Sequence, residues 1–174
     1  SLIYKKAEML FMLSDWESLI FTYRDIAIKY YSDLDELIDR IIEIGGLTNN
    51  FHLSIISLIE ISKIYPDHIG LKDKIVDISI EIGHYTIAIE YLSAISNEHL
   101  TLDDKIILSR LYMIVEDYNS AYQLSKSLYD INTINFELSQ ILFMSLFNIE
   151  DNESFPELYS ISNKIITQFP TSPM

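Results

Sequence analysis

The stretch Ile82-Gly83-His84-Tyr85-Thr86-Ile87-Ala88-Ile89-Glu90-Tyr91-Leu92 sets a glycine, an aromatic residue two later, an alanine three after that and a leucine four further on. The same order returns 33 residues downstream as Glu116-Asp117-Tyr118-Asn119-Ser120-Ala121, followed by Ser125 and Leu128. Ser54 stands 34 residues upstream of Ala88, with Phe51 before it and Leu58, Ile61 and Pro66 after it. Another 35 residues back comes Leu19, flanked by Trp16, Tyr23 and Ile26. A fifth, displaced copy holds Phe155, Leu158, Ile165 and Pro170. Near-constant spacing of this kind marks a repeat array.

Within each copy the apolar residues recur at helical spacing. Leu37, Ile38, Ile41, Ile42 and Ile44 form one such set, and Ile55, Ile56, Leu58, Ile59 and Ile61 another. The abundant isoleucine and tyrosine suit strands by propensity, but the period is 3.6 rather than 2, so helices are expected. The spacing predicts helices near 2–13, 16–30, 33–45, 51–64, 70–82, 85–96, 102–115, 118–129, 134–149 and 155–168. Asp33, Thr101 and Asn119 are the expected caps. Residues 45–50 and 150–154 read as lengthened turns. A small residue at Ala88 or Ala121 lets two antiparallel helices approach, and the aromatic after the turn fills the gap between them. A hairpin of this kind cannot bury its apolar face alone, so stability comes from stacking on its neighbours.

These residues resemble the tetratricopeptide repeat over essentially the whole chain. Its small residue in the first helix is matched by Ala7 and Ser109, and its turn glycine by Gly83 and by Gly45, with a four-residue insertion after it. Its aromatic is matched by Trp16, Phe51, Tyr85, Tyr118 and Phe155, its second small residue by Ser54, Ala88 and Ala121, and its closing proline by Pro66 and Pro170. The departures are Ile38, Val76 and Phe143 at positions normally small, and Leu19 and Leu158 in place of the second small residue. The resemblance implies an all-α fold, a right-handed α-solenoid of antiparallel helix pairs in one array over 1–174. The repeats run approximately over 1–31, 32–66, 67–100, 101–132 and 133–170. The array begins inside a first helix and leaves no helix to serve as a polar end cap, so a segment of a longer protein is expected.

The totals exclude several classes. Cysteine is absent, which removes disulfides, thiolate metal sites and cysteine nucleophiles. The formal charge of −14 opposes phosphate-backbone binding, which needs clustered Lys and Arg, and opposes an anionic membrane surface. No apolar run reaches the ~18 residues of a membrane span, and Ser1-Leu2-Ile3-Tyr4-Lys5-Lys6-Ala7-Glu8 lacks a signal-peptide layout. His52, His68, His84 and His99 lie in or beside turns without paired ligand spacing. Asp103-Asp104, Glu116-Asp117 and Asp33-Leu34-Asp35-Glu36 stand at helix starts and a turn, where acids cap and complement the helix dipole. No phosphate-binding, nucleophile-elbow or dinucleotide glycine motif occurs. Neither a catalytic residue nor a metal or cofactor is expected.

In tetratricopeptide proteins the first helix of each pair lines the concave face, and the resemblance carries this surface onto named positions. These are Tyr4, Glu8, Phe11 and Met12; Asp35, Asp39 and Glu43; Asp73, Asp77 and Ile80; Ile106, Arg110 and Met113; and Gln140, Met144 and Phe147. The centre is acidic and the ends are apolar, so a basic or apolar peptide or protein is the expected partner, with no nucleic acid and no membrane insertion. Acids at the positions where relatives grip a terminal carboxylate argue against such a clamp. The expected function is a non-catalytic protein-interaction scaffold; the alternatives are an export chaperone for a client protein and a regulatory repeat segment of a larger enzyme. Packing of Phe11, Met12, Met144 and Phe147 against adjacent helices is the competing reading of the apolar ends. The expected compartment is the cytoplasm, with the periplasm or cell envelope as the alternative.

Overall fold

A computed structural model describes residues 2–30, 34–68, 70–129, 135–149 and 155–169. Among them are ten α-helices and no strand: α1 (Leu2–Met12), α2 (Trp16–Lys29), α3 (Leu34–Thr48), α4 (Phe51–Ile64), α5 (Leu71–Glu81), α6 (Tyr85–Ala94), α7 (Leu102–Ile114), α8 (Tyr118–Tyr129), α9 (Phe136–Asn148) and α10 (Phe155–Gln168). The chain divides into two compact units, residues 1–84 and 85–174. The expected Asp33 cap, the 150–154 turn and the closing Pro170 lie outside the described residues.

The second helices start on the expected aromatic residues, at Trp16, Phe51, Tyr85, Tyr118 and Phe155. The reason lies two residues upstream. Ser14, Asn49, Gly83 and Glu116 all take positive φ, at 55, 52, 74 and 62°. The residue after each donates its N–H back five positions: Asp15 to the Leu10 carbonyl, Asn50 to Gly45, His84 to Ser79 and Asp117 to Tyr112. This is a left-handed helix stop that satisfies the free carbonyls of the first helix. Its recurrence every 33 to 35 residues is the repeat written in backbone geometry.

The stop corrects the expected turn at Gly45. Helix α3 runs on through Gly45 and Gly46 to Thr48, and Asn49 adopts the left-handed conformation that asparagine tolerates. There is thus no four-residue insertion in the second repeat, and its first-helix register moves by one turn. Ile42, not Ile38, becomes the equivalent of Ala7, Val76 and Ser109. Three buried residues of α3, Leu37, Ile41 and Ile44, match Leu71, Ile75 and Ile78 of α5, and Arg40 is exposed. Ile42, however, is half-buried where Ala7, Val76 and Ser109 are buried, and Ile38 is itself buried.

One cap sits two residues before its expected place. Asp117 accepts from Ser120 N at 3.1 Å, so it caps α8, and Asn119 lies inside the helix. Thr101 behaves as expected. Its hydroxyl accepts from Asp104 N at 3.1 Å while Asp104 accepts from Thr101 N at 2.7 Å, a reciprocal capping box.

In the first unit α2 packs on α1, α3 and α4, and α4 on α3 and α5. The crossings are lined by Ala7, Ser54 and the fully buried Leu19, Ile38, Ile55 and Leu58. Arg24 of α2 reaches Glu60 of α4 at 2.9 Å, and Tyr65 donates to the Ile28 carbonyl at 2.8 Å. In the second unit α7 packs on α6, α8 and α9, and α9 on α8 and α10. Its core holds Tyr122, Leu128, Tyr129, Leu138, Leu142, Leu146, Ile161 and Ile165. Ala88, Ser109 and Ala121 are buried, as small crossing residues must be.

Candidate interaction surfaces on the first helices

The first unit has an open groove of about 600 Å³ between α1 and α3. Tyr4, Ala7, Glu8, Phe11 and Met12 of α1 form one wall, Glu36, Leu37 and Arg40 of α3 the other, and Tyr23 of α2 reaches in between them. Four of the sixteen expected positions therefore meet in one concavity. Phe11 leans edge-on against Trp16, with ring centroids 5.6 Å apart, yet stays more than half exposed. Met12 is more exposed still. Packing against adjacent helices thus leaves most of both side chains open.

The charges around this groove are unequal. Arg40 donates twice to the Glu36 carboxylate, at 3.0 and 2.7 Å, and that bond holds the guanidinium further above its ordinary range. Lys74 of α5 pairs with Asp39 of α3, and His68 lies 3.3 Å from Asp35. Among the described residues no ion pair involves Glu8, Glu43 or Asp77. The corrected register leaves Asp39 and Glu43 level with Tyr4 and Glu8, and with Asp73 and Asp77. It moves Asp35 one turn off this row and brings the exposed Leu47 level with Met12.

The second unit departs further from expectation. Ile106 is buried in its core, because α9 packs against α7, and Met113 is half-buried against the same core. Neither offers its side chain as the sequence reading expects. Arg110 is tied to Glu137 of α9 by a salt bridge. What stays exposed is Met144 and Phe147, the latter stacked on Phe143 of its own helix with centroids 6.3 Å apart. Gln140 is half-buried, as is Ile80 in the first unit.

Elsewhere the polar groups serve structure. In the second unit Lys126 donates to the Tyr122 hydroxyl at 2.6 Å and meets Glu157 at 2.9 Å, and Tyr122 donates to Glu157 at 2.9 Å. Burial pushes the Tyr122 hydroxyl up from its ordinary value. Burial also pushes Glu157 upward, but the hydrogen bonds from Lys126 and Tyr122 outweigh it and hold the carboxyl low. The rings of His52 and His84 meet edge-on at 5.9 Å, a turn-packing contact. Among the described residues no group of three or more His, Asp or Glu side chains could hold a metal ion. No described helix is long and apolar enough to cross a membrane.

No family model matches the chain, and no curated protein does. In fold it is similar to the solved structure titled "MamA RS-1 ArsTM double mutant", with a TM-score of 0.55 and 13% identity, covering 97% of this chain and 96% of that one. At this identity the likeness concerns the fold alone. Together with the helical hairpins, it makes the architecture an all-α helical-repeat solenoid.

Proposed function

We propose that this chain is a non-catalytic protein-interaction scaffold of five degenerate tetratricopeptide-type repeats in one array, and that its α1–α3 groove takes an apolar segment carrying Lys or Arg. The observation that carries this reading is the composition of the groove. Exposed Phe11 and Met12 stand beside Glu8, which has no ion-pair partner among the described residues, on a chain of net charge −14. Methionine and aromatic side chains adapt to varied apolar partners. Unpaired carboxylates at the rim select the sign of the partner's charge and speed its approach more than they add affinity. An export chaperone is the second reading, and the exposed Met144 and Phe147 favour it, since a client's apolar segment needs such a surface. We place the protein in the cytoplasm.

The test is a pair of probe peptides of equal length, one with a Leu/Lys pattern at helical spacing and one with Leu/Glu. Backbone amide shifts are followed in the intact chain. The Leu/Lys peptide is expected to shift residues 4–12 and 36–40 and to bind more weakly as salt rises. Shifts confined to α9, near Met144 and Phe147, would favour the chaperone reading. Equal binding of the Leu/Glu peptide, or no binding of either, overturns the proposal.

A further inference from the structure

Lys105, Leu108 and Tyr112 stand at i, i+3 and i+7, on one face of α7. Within the second unit that face opens into a groove of about 500 Å³, to which α6 contributes Ser93 and α8 contributes Gln123 and Leu124. No carboxylate lines it, in a chain with 26 Asp and Glu against 12 Lys and Arg. The α1–α3 groove, by contrast, carries Glu8 and Glu36.

Lys105 is half-buried, and among the described residues its ammonium has neither an ion pair nor a hydrogen-bond partner. The other half-buried cations, Arg24, Lys72, Lys74 and Lys126, each meet a carboxylate. A charge held partly out of water without a partner costs stability, so Lys105 favours any anion that reaches it. Neutral donors stand in the same groove. The Ser93 and Tyr112 hydroxyls are 3.2 Å apart, and whichever donates, the other keeps its hydrogen for a ligand. Asn97 and Gln123 present exposed amides with no hydrogen-bond partner among the described residues. An amide both donates and accepts, as the main chain of an extended peptide does. A helical peptide has already paired those main-chain groups, so it fits this groove poorly.

We propose that the groove binds an extended peptide segment in which Asp or Glu stands beside an apolar residue. The carboxylate meets Lys105 and the Ser93–Tyr112 hydroxyls, the apolar side chain meets Leu108 and Leu124, and the main chain meets Asn97 and Gln123. One cation on a chain of net charge −14 matches a single negative charge. A carboxylate therefore fits better than a phosphate, which carries about two. The groove is open, so a small carboxylate alone would stay hydrated and gain little; the apolar neighbour supplies the contact area. This site shares no residue with the α1–α3 groove, and either proposal can fail alone.

The test is a titration of the intact chain with the peptide Pro-Leu-Glu-Leu-Pro, capped at both ends and followed by backbone amide shifts. Peptide is added to about 1 mM, where weak contacts populate. Shifts are expected among residues 93–127 and not at 4–12 or 36–40. Lys105→Met keeps the side-chain stem and is expected to weaken binding about tenfold, the loss of one hydrogen bond to a charged group. Gln123→Ala is expected to weaken it a few-fold, and circular dichroism checks that both variants fold. A Gln-for-Glu peptide and acetate alone are expected to leave the spectrum unchanged. Absence of shifts in 93–127, equal binding of the Gln peptide, or wild-type affinity in Lys105→Met overturns the proposal. Shifts reproduced by acetate, or tighter binding of a phosphoserine version, overturn it as well.

Discussion

Gly45 and Ser54 face each other across the α3–α4 crossing so closely that a Cβ on Gly45 would stand 2.5 Å from the Ser54 hydroxyl oxygen. That hydroxyl is buried and donates to the Ile41 carbonyl at 2.8 Å, so it has little room to yield. Gly45→Ala gains up to about 1 kcal/mol in helix propensity but overpacks the crossing by about 1–3 kcal/mol. A net loss of about 1–2 kcal/mol is expected in urea unfolding. Adding Ser54→Ala removes the clashing oxygen and should recover most of the loss. Additive single effects would show that the two side chains do not meet.

The four left-handed helix stops differ only in the residue that bears the strain. Glycine carries it at Gly83, whereas Glu116 at φ 62° does so with a side chain, at a cost of about 1–2 kcal/mol. Glu116→Gly should stabilise the chain by about 0.5–1 kcal/mol after the added freedom of the unfolded chain is counted. Gly83→Ala should destabilise by a similar amount. The midpoints of thermal melts for the two variants should therefore move in opposite directions.

How much of this was legible in the sequence varied by element. The aromatic that opens α2, α4, α6 and α8 is legible directly, because it follows the helix stop at a fixed distance. Gly45-Gly46 looked like a turn because glycine usually breaks helices, yet Gly45 is needed for close approach and Asn49 makes the stop. The signal that could have found this is the shared Leu-x-x-x-Ile-x-x-Ile of residues 37–44 and 71–78. Ile106 and Met113 depart from their expected exposure for another reason. A register names the face of a helix, but whether another helix covers that face is a tertiary fact, and here α9 covers α7.

The Tyr122–Lys126–Glu157 cluster should shape the pH dependence of the second unit. Glu157 is held below its ordinary value, so its contribution is present above the normal carboxylate pKa and is lost as pH falls through the lowered one. Tyr122, raised first by burial, and Lys126, raised first by its hydrogen bond to Tyr122, contribute below their ordinary values near 10. That share is lost as pH rises through the raised ones. The difference in melting temperature between wild type and Glu157→Gln should thus be largest near neutral pH and shrink toward acid. A difference independent of pH would remove the carboxylate from the account of stability.

Trp16 is the single tryptophan, and its ring touches Phe11 at the edge of the α1–α3 groove, so its emission reports on the proposed site. The most direct measurement is a titration of the intact chain with the Leu/Lys peptide, read by Trp16 fluorescence and repeated on Phe11→Ala and Glu8→Lys. Each variant is expected to weaken binding about tenfold, the loss typical of an interface residue worth more than 1 kcal/mol. Met144→Ala is expected to leave it unchanged. Wild-type affinity in both groove variants would contradict the assignment of the groove as the binding surface.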